Sequence, residues 1–169
     1  LSTVQFPTGN INAISPHFDE NLLWLAGTQG LYLFNKRTHL ISYISESIKN
    51  GFITSLYLEP DSTLWCASGN GLFVYKYNKM KKVYPLKNDA NETSNICRTI
   101  FVEKDTIWAG FASKGLVKII RRKDGYQCFP NEYKGIKEKD ISFVQKDSQG
   151  NLLVGTWGSG VNIQSNDHW

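Results

Sequence analysis

The stretch Leu23–Phe34, LWLAGTQGLYLF, decides the fold because it returns three times. Its second copy is LWCASGNGLFVY, from Leu64 to Tyr75. Its third is IWAGFASKGLVKI, from Ile107 to Ile119. A worn copy, LLVGTWGSGVNI, spans Leu152 to Ile163. The first three share an aliphatic–Trp pair, small residues, a Gly and a further aliphatic residue. Trp24 and Trp65 are 41 residues apart, Trp65 and Trp108 are 43 apart, and Leu153 stands 45 further on where the next Trp belongs. A period of about 40–45 residues built from strand-like units is the signature of propeller blades.

Outward from each copy, every repeat reads as four short strands. The inner strands are expected at Ile11–Phe18, Ile53–Glu59, Ile96–Val102 and Ile141–Lys146. Ile53, Ile96 and Ile141 each lie 12 residues before the Trp position, and Ile11 lies 13 before it. Polar turns containing Asp19, Asp61, Asp105 and Asp147 lead into the repeated phrase. The recurrence of these acids marks turn formers rather than a catalytic carboxylate pair. Gly30, Gly71, Gly115 and Gly160 close the middle turn, where a positive φ suits glycine. Outermost strands end in Phe6-Pro7, Tyr84-Pro85 and Phe129-Pro130, since proline lacks the N–H that a central strand would need. Thr38–Ile44 fills the same slot in the first repeat. The repeats span approximately 11–50, 51–90, 95–135 and 140–165, and residues 3–8 form the outer strand of a neighbouring or closing blade. No segment of ten or more residues keeps a helical period.

Trp24, Trp65 and Trp108 are expected in the core, each filling the wedge between adjacent blades. The expected architecture is therefore an all-β propeller of four-stranded antiparallel blades. The chain opens on an outer strand and stops after a third strand, so it reads as a fragment of a larger ring of the seven-bladed type.

Composition narrows the function. The chain has 169 residues and a net charge of +4, with 41% hydrophobic and 13% aromatic residues. No run of about 20 apolar residues exists, so any membrane attachment would come through segments absent here. The start, LSTVQFPTGN, does not read as a signal peptide. Basic residues are spread over successive repeats rather than gathered on one face, which argues against nucleic acid. Cys66, Cys97 and Cys128 are odd in number and widely spaced, which fits neither a disulfide framework nor a zinc site. His17, His39 and His168 are far apart, with no nucleophile motif beside them. Nothing calls for a catalytic centre, a metal or a cofactor. Asn91-Glu92-Thr93 fits a glycosylation sequon.

The pattern I-x-x-h-x-x-D-x-x-x-h-W-x-(G/A)-(T/S)-x-x-G-L-(Y/F)-x-(F/Y) resembles the two-component regulator propeller repeat. The resemblance covers nearly the whole chain and is best in the first two copies. The third departs at Thr99 and at Phe111 to Lys114. The fourth lacks the Trp, although Gly155-Thr156-Trp157-Gly158 matches the family's variant turn. The resemblance implies a periplasmic sensor region of a hybrid two-component protein, non-enzymatic in itself and answering to oligosaccharides, with the kinase elsewhere in the polypeptide. A protein-interaction or dimerisation scaffold is the alternative, its partners being further blades or a second copy. Ligand-binding candidates are the positions where the copies differ at one end of the channel: Gln29, Asn70, Phe111, Lys114, Trp157 and Arg98. An aromatic ring there would stack on the apolar face of a sugar, and the polar side chains would bond its hydroxyls.

Overall fold

The computed structural model describes residues 9–44, 52–85, 95–130 and 135–164. Within them, side chains that alternate between two faces build short strands. The strands form four separate antiparallel meanders, each in sequence order. Blade 1 contains β1 (Ile11–Pro16), β2 (Leu22–Gly27), β3 (Gly30–Asn35) and β4 (Ile41–Tyr43). Blade 2 contains β5 (Ile53–Leu58), β6 (Leu64–Ser68), β7 (Gly71–Lys76) and β8 (Lys79–Tyr84). Blade 3 contains β9 (Cys97–Glu103), β10 (Thr106–Phe111), β11 (Gly115–Arg122) and β12 (Gly125–Pro130). Blade 4 contains β13 (Ile141–Lys146), β14 (Leu152–Thr156) and β15 (Val161–Gln164), three strands rather than four. The inner strands meet in succession, β1 with β5, β5 with β9 and β9 with β13. Among the described residues no comparable contact joins β13 back to β1.

Each blade presents one face to the blade after it, here called its trailing face, and the opposite, leading face to the blade before. Trp24, Ala26 and Leu31 on the trailing face of blade 1 pack against Leu64, Cys66 and Phe73 of blade 2. Trp65, Ala67, Leu72 and Val74 pack against Ile100, Ile107, Ala109, Val117 and Ile119 of blade 3. Trp108 and Leu116 pack against Ile141, Val144, Leu152 and Val154 of blade 4. The three tryptophans thus hold one structural position. Each indole buries about 150–250 Å², worth roughly 4–6 kcal/mol of transfer free energy. Trp24 meets Tyr75 edge-on at 5.5 Å, and Trp65 meets Tyr126 in the same way at 5.3 Å, both across a seam between blades.

The sequence-based boundaries shift in three instructive places. Cys97, not Ile96, is the counterpart of Ile53: Cys97 pairs with Phe111 as Ile53 pairs with Ser68, each partner three residues after the repeat Trp. The cause is the first turn of blade 3, which is only Lys104–Asp105, tightened by a positive φ of 53° at Lys104. In blade 1 that same turn is one residue longer than in blade 2, which accounts for the extra residue before Trp24. The outer strand of blade 1 is Ile41–Tyr43 rather than Thr38–Ile44, because Asn35 captures the chain first. Its Oδ1 accepts from the amides of Arg37 at 2.9 Å and Thr38 at 3.0 Å, and its carbonyl accepts from His39 at 2.8 Å. Tyr84 and Pro130 close outer strands β8 and β12, as the proline pattern indicates. Val4–Pro7 lies outside the described residues. At the middle turns the glycine requirement is physical: Gly71 has φ +117°, and a Cβ there would overlap the Tyr84 carbonyl oxygen.

Candidate functional site at the mouth between blades 3 and 4

The middle turns and the starts of the inner strands share one end of the molecule. A backbone bond repeats there in every blade. Thr28 donates to the Asn10 carbonyl at 3.1 Å, Gly69 to Phe52 at 2.8 Å, Ala112 to Ile96 at 2.9 Å and Trp157 to Asp140 at 2.9 Å. Trp157 therefore occupies a position that is small in the other three blades. Its side chain is 63% exposed.

A second feature repeats beside it. The register of every inner strand slips by one residue near its start, leaving Asn12, Thr54, Arg98 and Ser142 as bulged residues without a cross-strand partner. A bulge re-aims a side chain, and in blades 1 to 3 the side chain meets the next blade. The Asn12 amide donates to the Ile53 carbonyl at 2.8 Å. The Thr54 hydroxyl donates to the Cys97 carbonyl at 2.6 Å. Arg98 breaks this pattern by meeting a side chain: Nε lies 3.1 Å from Asp140 Oδ1, and a terminal guanidinium nitrogen donates to Oδ2 at 3.5 Å. The Nε–Oδ1 contact is ionic rather than an aligned hydrogen bond, and both atoms are shut off from solvent. The guanidinium also sits 5.7 Å from the centre of the Trp157 ring, within the range of a cation–π contact.

This seam carries another link. Gly115, at the end of blade 3's middle turn, donates to the Lys139 carbonyl at 2.8 Å. Among the described residues it is the one backbone hydrogen bond of the turns that crosses between blades. Glu138 caps the same segment, its Oε1 accepting from the amides of Lys139 at 2.8 Å and Asp140 at 3.1 Å. Segment 138–140 is thus tied to the turns of both blades, and Trp157 stands on a fixed base.

The six candidate positions fare differently. Arg98 and Trp157 come together. Lys114 lies in the turn that Gly115 ties to Lys139, and is half-buried. Gln29 is exposed and Asn70 half-buried in the equivalent turns of blades 1 and 2. Phe111 is not a surface residue. Strand β10 runs through it, it is 0% exposed, and its ring packs edge-on against Tyr84 at 5.4 Å in the core between blades 2 and 3. Sequence reading missed Asp140, Lys139 and Phe52. The signal for Asp140 and Phe52 was their place immediately before an inner-strand Ile, where the copies differ. Phe52 lies against Gly69, where a Cβ would come within 2.9 Å of its ring, and it is 38% exposed.

Other titratable groups serve the scaffold. Asp19, Asp61 and Asp147 each accept from the amide two residues on, at 2.8, 3.0 and 2.9 Å. Bonding holds all three carboxyls below the usual range, and the Lys76 ammonium brings Asp61 to about 2. Burial raises the thiols of Cys66, Cys97 and Cys128 above the usual range, and all three are unpaired. His17 Nδ1 accepts from the Asp19 amide at 3.0 Å, and His39 stacks on Phe34. His168 lies outside the described residues. Among the described residues no three His, Cys, Asp or Glu side chains gather as a metal site.

No protein-family model matches the chain, and no curated protein matches it by sequence. Solved structures do. The WD40 propeller domain of Doa1 is 15% identical, with a TM-score of 0.71 over 98% of this chain and 55% of that one. A protein described as a gluconolactonase is 12% identical, with a TM-score of 0.70 over 99% of this chain and 64% of that one. The chain is a run of β-propeller blades. It spans less than two thirds of either neighbour, and at such identities the likeness is one of fold. The extracellular domain of a hybrid two-component system protein from B. thetaiotaomicron, 19% identical, overlaps with a TM-score of 0.46 over 92% of this chain and 26% of that one. An overlap of that quality shows neither kinship nor role.

Proposed function

We propose that these blades belong to the extracytoplasmic, periplasmic sensing region of a hybrid two-component protein, and that the mouth between blades 3 and 4 binds an oligosaccharide. The module binds without turning its ligand over, and the signal passes to a kinase carried elsewhere in the polypeptide. The repeat pattern of the sequence supports the sensor reading. The observation that carries the binding site is Trp157: a large exposed ring where three sister positions are small, with Arg98 and Asp140 beside it. A pyranose presents an apolar C–H face that suits stacking on an indole, and its hydroxyls suit the donors and acceptors of the ion pair. The test is titration calorimetry of the sensor region against an oligosaccharide panel, with Trp157→Ala alongside. At least one glycan should bind, and the variant should lose about tenfold or more of the affinity, since stacking and cation–π contacts are worth on the order of 1 kcal/mol or more each. Undiminished binding by the variant would remove the site.

A second reading has its own observation. Val161 and Ile163 on the trailing face of blade 4 are 55% and 54% exposed. That face suits an interaction scaffold, covered by further blades or by a second copy of the chain.

A further inference from the structure

The mouth is not uniformly charged. At the equivalent positions of blade 1 stand Asn10, Asn12, Thr28 and Gln29, and of blade 2 Phe52, Thr54, Gly69 and Asn70, none of them ionisable. The charge collects at the seam between blades 3 and 4. There Arg98 pairs with Asp140, Lys114 lies in the turn of blade 3, and Lys137, Glu138 and Lys139 precede Asp140 in the chain. Both carboxylates are already engaged. Asp140 is paired with Arg98, and Glu138 is folded back on the amides of residues 139 and 140. Lys137 and Lys139 are exposed. The Lys139 carbonyl is held by Gly115, so its side chain leaves a fixed point of the backbone between the turn bearing Lys114 and the strand start beside Trp157.

We propose that the ligand taken at this seam is an acidic oligosaccharide, one bearing a uronate carboxylate. The ring lies on the exposed face of Trp157, and the carboxylate is drawn by Lys139. Asp140 keeps Arg98 beside the indole, so Arg98 positions the ring while Lys139 selects the charge. This rests on the sugar-binding reading above and narrows it. A solvent-facing cluster of this kind is screened by salt, so its preference depends on ionic strength.

The experiment compares a galacturonic acid trimer with a galactose trimer of the same linkage, by calorimetry on the whole sensor region. At low salt the acidic trimer should bind about tenfold tighter, the size expected of one or two added charge contacts near a surface. The preference should shrink as salt rises from about 0.02 to about 0.5 M, where the screening length falls below about 5 Å. Lys139→Gln should cut the preference severalfold, weakening the acidic trimer clearly more than the neutral one. Equal or tighter binding of the neutral trimer overturns the acidic assignment and leaves the sugar-binding reading standing. A preference untouched by Lys139→Gln overturns it too, since the selecting charge then lies elsewhere. Binding of neither trimer nor any other glycan overturns both.

Discussion

At the residue scale the repeat tryptophans share a position and differ in what their N–H meets. Trp65 is fully buried, and its Nε1 donates to Glu59 Oε1 at 2.6 Å. Glu59 is held from the other side by Arg121 at 2.5 Å, so a charged acceptor is locked inside the seam between blades 2 and 3. The Trp24 Nε1 is buried with no acceptor among the described residues. Replacing either indole by Phe removes comparable volume, so the difference between them isolates the hydrogen bond. Trp65→Phe should cost about 1.5–3 kcal/mol more than Trp24→Phe in urea unfolding, the range for a hydrogen bond to a charged group. Equal costs would mean that Arg121 alone satisfies Glu59. That these residues are core was legible in the sequence, because a large ring recurring at a fixed period beside aliphatic residues points to packing between like units. The partner of each N–H was not legible, because the equivalent residue is His17 in blade 1, Glu59 in blade 2 and Glu103 in blade 3, and nothing in the sequence says which of them turns toward an indole.

At the element scale, strands and turns followed from alternation, glycine and proline, and most boundaries stand within one or two residues. The bulges were invisible. A bulge changes pairing, not composition, so nothing in Asn12, Thr54, Arg98 or Ser142 announces that these four residues are equivalent. Phe111 was misread for a related reason: placing the turn one residue early put a core ring on the surface. Packing between elements is tested at a second set of equivalent positions, Ala26, Ala67, Gly110 and Gly155. A Cβ on Gly110 would stand 2.5 Å from Ile141 Cγ2 and 2.6 Å from Thr99 Cγ2, inside a closed seam. On Gly155 its three nearest neighbours would all be atoms of the Phe143 ring, on the trailing face of blade 4. A ring on an open face can swing away, whereas two branched side chains in a sealed seam cannot. Gly110→Ala should therefore destabilise by about 1–3 kcal/mol, as overpacking does, and Gly155→Ala by clearly less. Thermal or urea unfolding of the two variants checks the order.

At the scale of the whole molecule the deciding fact is that, among the described residues, the same face is covered three times and open once. Leu31, Leu72 and Leu116 sit at one register position, pairing with Ala26, Ala67 and Gly110, and are 0%, 0% and 3% exposed. Val161 holds that position in blade 4, opposite Gly155, at 55%. Ile163 beside it is 54% exposed and pairs with Leu153, the residue standing in the tryptophan slot. An apolar face of this kind draws a partner out of water. The chain of residues 1–169 should accordingly self-associate at micromolar to tens of micromolar concentrations in sedimentation velocity. Ile163→Glu should shift it toward monomer while leaving the β-sheet circular dichroism signal unchanged, because the substituted side chain lies outside all three covered seams. If the unsubstituted chain stays monomeric across that range, the open face is too small to hold a partner by itself, and the scaffold reading loses its observation.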